Sequence, residues 1–147
     1  MGPLPATPAQ VAEWLPHRAP MLLVDSVVAA DAASLTAQRT FRADEFFFQG
    51  HFPGEPILPG VILLEALAQA AALHTGLSKQ LRAAQVAYRF SKVESVTWAA
   101  PVRPDQTVTL QVTKLREKLG FLQFTAVAKV ADTVVCDANF TAKVMPR

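Results

Sequence analysis

Residues Gly50–Gly76 read GHFPGEPILPGVILLEALAQAAALHTG, and the reading of this stretch decides the fold. From Val61 to Leu73 almost every side chain is Val, Ile, Leu or Ala. A helix over such residues is apolar all round, which marks one enclosed by the rest of the protein rather than laid on its surface. The apolar run is short and is interrupted by Glu65 and Gln69, so no membrane span is expected. Pro59-Gly60 signals the helix start and Gly76 its stop, the usual punctuation at the two ends.

The same stretch carries the candidate chemistry. Gly60 falls at or next to the helix N-terminus, where the first backbone N–H groups lack intrahelical partners and the helix dipole adds partial positive charge; such an end suits a negative oxygen. Glu65 lies roughly one and a half turns further in, and Gln69, four residues on, shares its face. Upstream, Pro53, Gly54, Pro56 and Pro59 crowd into seven positions, which excludes regular structure and specifies one stiff connection. His51 sits at the start of that loop. An imidazole on a stiff loop, a carboxyl group in an apolar helix and free N–H groups nearby form a candidate acid/base site with an anion hole. Spacing alone leaves open whether His51 and Glu65 meet. A histidine held for structure and a carboxylate paired with a buried Arg also fit the pattern.

Composition bounds the rest. The chain has 147 residues, 51% hydrophobic and 18% charged, which points to one domain over 1–147 with a substantial core, residues 1–20 forming an N-terminal arm. So high an apolar fraction in a small domain suggests that another subunit covers part of the surface. A net charge of +2 without any Lys/Arg run gives no footprint for nucleic acid. The single cysteine, Cys136, allows no internal disulfide and no Cys-rich metal motif, and Met1–Pro5 lacks the regions of a signal peptide; a cytoplasmic location is expected.

Taken in order, the chain predicts a short helix over Pro8–Trp14, ended by the Pro16–Pro20 segment, and a hairpin of strands Met21–Ala30 and Ser34–Phe41. A helical turn over Asp44–Phe48 is capped by Asp44. Past the central helix, Leu77–Arg82 reads as a turn and Ala83–Val96 as a long strand with Val86, Tyr88 and Phe90 on one face. Three strands with period-two patterns follow: Val108, Leu110 and Val112; then Phe124, Ala126, Ala128 and Val130; then Val134, Cys136, Ala138, Phe140, Ala142 and Val144. Turns fall at Leu119-Gly120 and Ala131–Thr133. The sum is an α+β domain, one long buried helix wrapped by an antiparallel sheet of about six strands. His17 reads as a structural contact of the arm, His74 as a helix-end residue near the C-terminal dipole, and Cys136 as inert core. No nucleophile elbow is present, and His, Glu and Asp are too scattered for a metal site.

Four places resemble the FabZ-type β-hydroxyacyl-acyl carrier protein dehydratases, which have the hot-dog fold: Leu15–Arg18 with Met21–Asp25, Phe47–Gly54, Pro56–Val61 running into Leu64–Gln69, and Pro101–Pro104. The resemblance implies that His51 and Glu65 are the catalytic pair and that the Gly60 N–H holds the substrate's thioester oxygen. It implies sites built across a dimer interface, His from one subunit and the acid from the other, in a homodimer or a trimer of dimers. It also implies acyl carrier protein as partner, with no metal or nucleotide cofactor, the phosphopantetheine arm arriving with the substrate. Glu65 distinguishes this type from the related FabA-type dehydratase/isomerases, which carry Asp there. Ser91, Lys92 and Asp105 depart from the family's small residue and glycines, which bears on the tunnel wall and the acyl-chain preference.

The expected reaction is dehydration of (3R)-3-hydroxyacyl thioesters in fatty acid biosynthesis, a hydro-lyase activity. His51 takes the C2 proton, Glu65 protonates the departing hydroxyl, and the Gly60 N–H holds the enolate-like oxygen. A variant in which Glu65 only orients water stays open. So do a thioesterase on the same scaffold, with Glu65 activating water, and a non-catalytic acyl-binding or assembly subunit.

Overall fold

Thr7 caps the first helical turn, its hydroxyl accepting from the Gln10 N–H at 3.2 Å, with Pro8 in the first helical position. In the computed structural model, which describes residues 1–147, this turn is α1 (Pro8–Val11). It is shorter than the Pro8–Trp14 helix expected, because beyond Val11 the chain continues only as turns that bring Trp14 inward. Trp14 is buried, with the Arg82 guanidinium 3.9 Å above its ring.

β1 (Ser26–Ala30) and β2 (Ser34–Thr40) form the expected hairpin, closed by Asp31 Oδ1, which accepts from the N–H groups of Ala33 and Ser34 at 2.9 and 2.8 Å. The strand expected from Met21 starts only at Ser26. Upstream of it, one side chain stands in for a neighbouring strand: Gln69 Oε1 accepts from the Leu23 N–H and Gln69 Nε2 donates to the Met21 C=O, both at 2.8 Å. With those backbone groups satisfied, the segment has no need of a ladder.

A 3-10 turn spans Phe46–Phe48, and its cap residue is Glu45, not Asp44. Asp44 is exposed and pairs with Arg42 at 3.3 Å. The Glu45 carboxylate instead accepts from the Arg42 N–H at 2.7 Å and pairs with Arg39, which also holds Asp25 at 3.1 Å. Arg39 is only 4% exposed, and a buried cation persists where carboxylates match it.

α2 (Gly60–Lys79) is the central helix. It runs three residues past Gly76 and ends at Gln80, whose φ of 55° is left-handed. Gly76 serves close approach rather than termination: a Cβ there would lie 3.1 Å from the Leu81 carbonyl oxygen and 3.4 Å from Tyr88 Oη. At 20 residues α2 is, against expectation, long enough to cross a membrane. Its setting is nonetheless that of a core helix, with twelve of its residues buried. His74 is one of them. It lies edge-on to Phe124 with ring centroids 5.9 Å apart and its Nε2 donates to the Asp31 C=O at 3.0 Å, so it belongs to the core rather than to the helix end. Burial pushes its pKa down.

The remaining strands are β3 (Val86–Trp98), β4 (Thr107–Lys118), β5 (Phe121–Val130) and β6 (Thr133–Pro146). Sheet order is β1-β2-β4-β5-β6-β3 with every neighbour antiparallel, and α2 packs on one face. This is the expected α+β architecture. Leu119-Gly120, both with positive φ (54° and 80°), form the tight β4–β5 turn. Inward residues follow the period-two patterns: Val108, Leu110 and Val112, Phe124, Ala126 and Ala128, and Cys136, Ala138 and Phe140 are each at most 1% exposed. Val134, at the mouth of the β5–β6 hairpin, is exposed. Cys136 is core, its thiol pushed up to about 11 by burial.

β3 breaks the pattern. It pairs only with β6, carries irregularities between Phe90 and Lys92 and between Val93 and Ser95, and is exposed over most of its length. Val86 is buried as expected, but Phe90, Val93 and Trp98 are all exposed.

Candidate active site

The loop from His51 to Pro59 is tied to itself and to the segment that joins β3 to β4. His51 Nδ1 lies 2.8 Å from the Ile57 carbonyl oxygen, and the Ile57 N–H donates back to the His51 C=O at 2.8 Å. The Leu58 N–H donates to the Val102 C=O at 2.8 Å. A carbonyl accepts only from a protonated nitrogen, so Nδ1 is held as a donor and Nε2, which has no partner in the chain, is the nitrogen left to face the cavity's contents. A general base built on this ring would act through Nε2. The half-buried ring lines a cavity of about 580 Å³ whose walls are mostly apolar.

Gly60 opens α2 on the same cavity, with Pro59 before it. The N–H groups of Ile62 and Leu63 both donate to the Pro59 C=O, at 3.0 and 3.3 Å. The N–H groups of Gly60 and Val61 are left without an acceptor in the chain. Two aligned amides at the positive end of a helix, beside an imidazole in an apolar recess, can stabilise an oxygen that gains negative charge. The structure therefore brings His51 and Gly60 together.

It does not bring Glu65 to them within one chain. Glu65 borders a separate cleft of about 30 Å³, room for about one or two water molecules, and no residue lines both spaces. The carboxyl group is half-buried, and desolvation raises its pKa above the ordinary 4.5, opposed in part by the Gln69 amide, whose Nε2 donates to it at 3.4 Å. Glu65 is thus biased toward the neutral, proton-bearing form. Gln69 is held by its bonds to Met21 and Leu23, which fix the direction of its contact with Glu65.

Two residues of the site escape sequence reasoning. His17, read there as an arm contact, lines the Glu65 cleft, its Nδ1 buried without a partner and its pKa lowered by desolvation and by Arg18. Trp98 walls the His51 cavity and donates from Nε1 to the Gly60 C=O at 2.9 Å. His17 stands in the Leu15–Arg18 segment, a signal within reach of the sequence. Nothing in the sequence marks Trp98, 38 residues from Gly60.

Comparison with known proteins follows the same lines. Residues 15–139 match the model of the FabA-like domain. A 3-hydroxyacyl-[acyl-carrier-protein] dehydratase FabZ from Nitrosospira multiformis is 39% identical over 140 residues, 94% of this chain and 96% of that protein. One of the same name from Sodalis glossinidius is 40% identical over 131 residues, 88% and 87% of the two chains. Among solved structures, the dehydratase heterocomplex ApeI:P from Xenorhabdus doucetiae superposes with a TM-score of 0.75 at 20% identity, covering 90% of this chain and 89% of that one. A thioesterase variant from Pseudomonas aeruginosa superposes with a TM-score of 0.62 at 18% identity, covering 83% and 81%. At such identities these structures speak for the shared hot-dog fold alone. With residues 15–139 matched and relatives about two-fifths identical along most of its length, the chain belongs to the FabA-like family.

Proposed function

We propose that this protein dehydrates (3R)-3-hydroxyacyl chains carried on acyl carrier protein to trans-2-enoyl chains in cytoplasmic fatty acid biosynthesis, as a homodimer or a trimer of dimers. Each site takes His51 and Gly60 from one subunit and Glu65 from another. The name borne by the relatives supports the reaction. The observation that carries the reading is the pairing of a free His51 Nε2 with two unpartnered helix N–H groups in one apolar cavity.

Chemistry follows from that pairing. His51 Nε2 removes the C2 proton, and the charge that moves to the thioester oxygen is met by the Gly60 N–H, a contribution of roughly 3 kcal/mol per donor. As the C2=C3 double bond forms, the C3–O bond breaks, and the Glu65 proton joins the departing hydroxyl as water. The proton on His51 then passes to the Glu65 carboxylate, directly or by release to solvent and uptake from it, which resets both groups.

The edge strand supports the assembly. Tyr88, Arg89 and Phe90 of β3 border the Glu65 cleft, whereas Trp98, at its other end, borders the His51 cavity. Eight or more residues of strand separate the two ends, roughly 25–30 Å. An exposed edge strand pairs readily with another. If two copies of β3 pair antiparallel about a two-fold axis, the Trp98 end of one lies beside the Phe90 end of the other, and the cavity of each subunit faces the cleft of its partner.

The test is a spectrophotometric assay with 3-hydroxyacyl-carrier substrates. Growth of conjugated enoyl absorbance is expected, its rate cut by orders of magnitude in His51→Ala and in Glu65→Gln, with fold and oligomer intact. Released thiol would mean a thioesterase instead, and crotonyl thioester neither formed nor hydrated would mean a binding subunit.

A further inference from the structure

Trp98, the last residue of β3, meets the first residue of α2 in two ways. Its Nε1–H donates to the Gly60 C=O at 2.9 Å. Its ring also fills the space a side chain on Gly60 would need, since a Cβ there would lie 2.7 Å from Nε1 and 2.8 Å from Cε2. Yet the residue is 45% exposed and walls the cavity that holds His51. Within its own chain the indole is held less by burial than by its hydrogen bond and its fit against bare glycine.

The carbonyl it binds belongs to the amide whose other end is the Val61 N–H. As the first carbonyl of α2 it is also the natural acceptor for the Leu64 N–H. Two donors on one carbonyl draw electron density from the amide nitrogen, which makes the attached N–H a stronger donor. That N–H has no acceptor in the chain, and Val61 lines the same cavity as His51. We propose that Trp98 is a positioning residue of the anion site, and that this site has two donors, the Gly60 and Val61 N–H groups, the second strengthened and both held in line by the indole. The proposal rests on the dehydratase reading above and adds a residue through which the end of an edge strand tunes the helix terminus.

The test compares Trp98→Phe, which keeps a ring and removes only the donor, with Trp98→Leu, which removes both. Two quantities are read: kcat and KM for hydration of crotonyl thioester, and the infrared carbonyl stretch of the bound, isotopically labelled thioester. For Trp98→Phe, kcat falls on the order of 3- to 10-fold while KM stays within about twofold, as expected when a hydrogen bond to the transition-state oxygen is weakened. The bound carbonyl stretch moves back toward its value in free thioester, with melting temperature and oligomer unchanged. Trp98→Leu shows a larger fall in the same direction. Wild-type kcat and wild-type carbonyl frequency in Trp98→Phe would overturn the proposal, as would an effect confined to KM, which would make the indole a substrate contact only. Because the carbonyl shift is read on bound thioester whether or not it turns over, failure of this proposal is distinguishable from failure of the dehydratase reading.

Discussion

The His51 cavity and the Glu65 cleft border the same helix, yet they are built in different ways. Around His51 the chain braces its frame with its own hydrogen bonds, ring to Ile57, Ile57 back to His51, Leu58 to Val102 and indole to Gly60, and leaves open the groups that face the cavity. The cleft is far smaller, and its polar groups are less satisfied, with His17 Nδ1 unpartnered and Glu65 held only by a long bond from Gln69. The contrast is chemical. On the proposed roles, a base and an anion hole act through direction and suit a rigid frame, whereas a proton donor suits a carboxyl whose pKa is raised by desolvation.

The sharpest way to break this comparison is to make each half in a different chain. His51→Ala and Glu65→Gln are each expected to lose activity by orders of magnitude, but refolded together from a mixture they should recover about one quarter of the wild-type rate, since half the dimers are mixed and each of those holds one intact site. No recovery, with mixed dimers demonstrated by mass, would place both groups in one subunit's site. A second measurement probes the rigid half alone. Gly60→Ala forces a Cβ against the Trp98 ring and is expected to lower kcat on the order of 10- to 100-fold, because the amides and the indole cannot both keep their places. Placing the same substitution in a Trp98→Ala background should restore part of the fold's stability but not the rate.

The smallest effect separates the pH response of the fold from that of the site. His74 has its pKa lowered by burial in the core. The unfolded chain takes up a proton near the ordinary 6.5 and the folded chain does not, so stability is full above pH 6.5 and falls as pH drops below it. His17, lowered for the same reason, contributes with the same sign. Denaturant melts at pH 7.5 and 5.5 should show His74→Gln flattening the slope without removing it; an unchanged slope would mean that the ring is protonated in the fold. The proposed role of Glu65 predicts a limb of opposite sign in the rate: burial raises its pKa above the ordinary 4.5, and activity is expected to fall as pH rises through the raised value.

Much of this molecule is legible in order of residues. The period-two strands and the apolar run into α2 each report their own burial locally, so the α+β sheet-and-helix plan follows from them. What misleads is long-range. Met21–Asp25 has strand composition, but the Gln69 side chain, 46 residues from Leu23, takes the Leu23 N–H and the Met21 C=O. Gly76 looks like a helix stop, but the approach of Leu81 and Tyr88 is what demands a glycine. Asp44 looks like a cap, but buried Arg39 draws Glu45 into that neighbourhood instead. His74 looks like a helix-end residue, but Phe124 and Asp31 close over it.

The order of residues was enough to place one apolar helix inside an antiparallel sheet and to single out His51, Glu65 and Gly60 as candidates, because hydrophobic periodicity, stiff prolines and a lone carboxyl in an apolar run are properties of neighbours along the chain. Only the tertiary structure decided that His51 and Gly60 share a cavity while Glu65 turns to another, that β3 runs between them as an open edge, and that Trp98 closes on the helix terminus. Those are relations between segments tens of residues apart, set by how the sheet curves around the helix and which strand it leaves at its edge, and no local pattern encodes them.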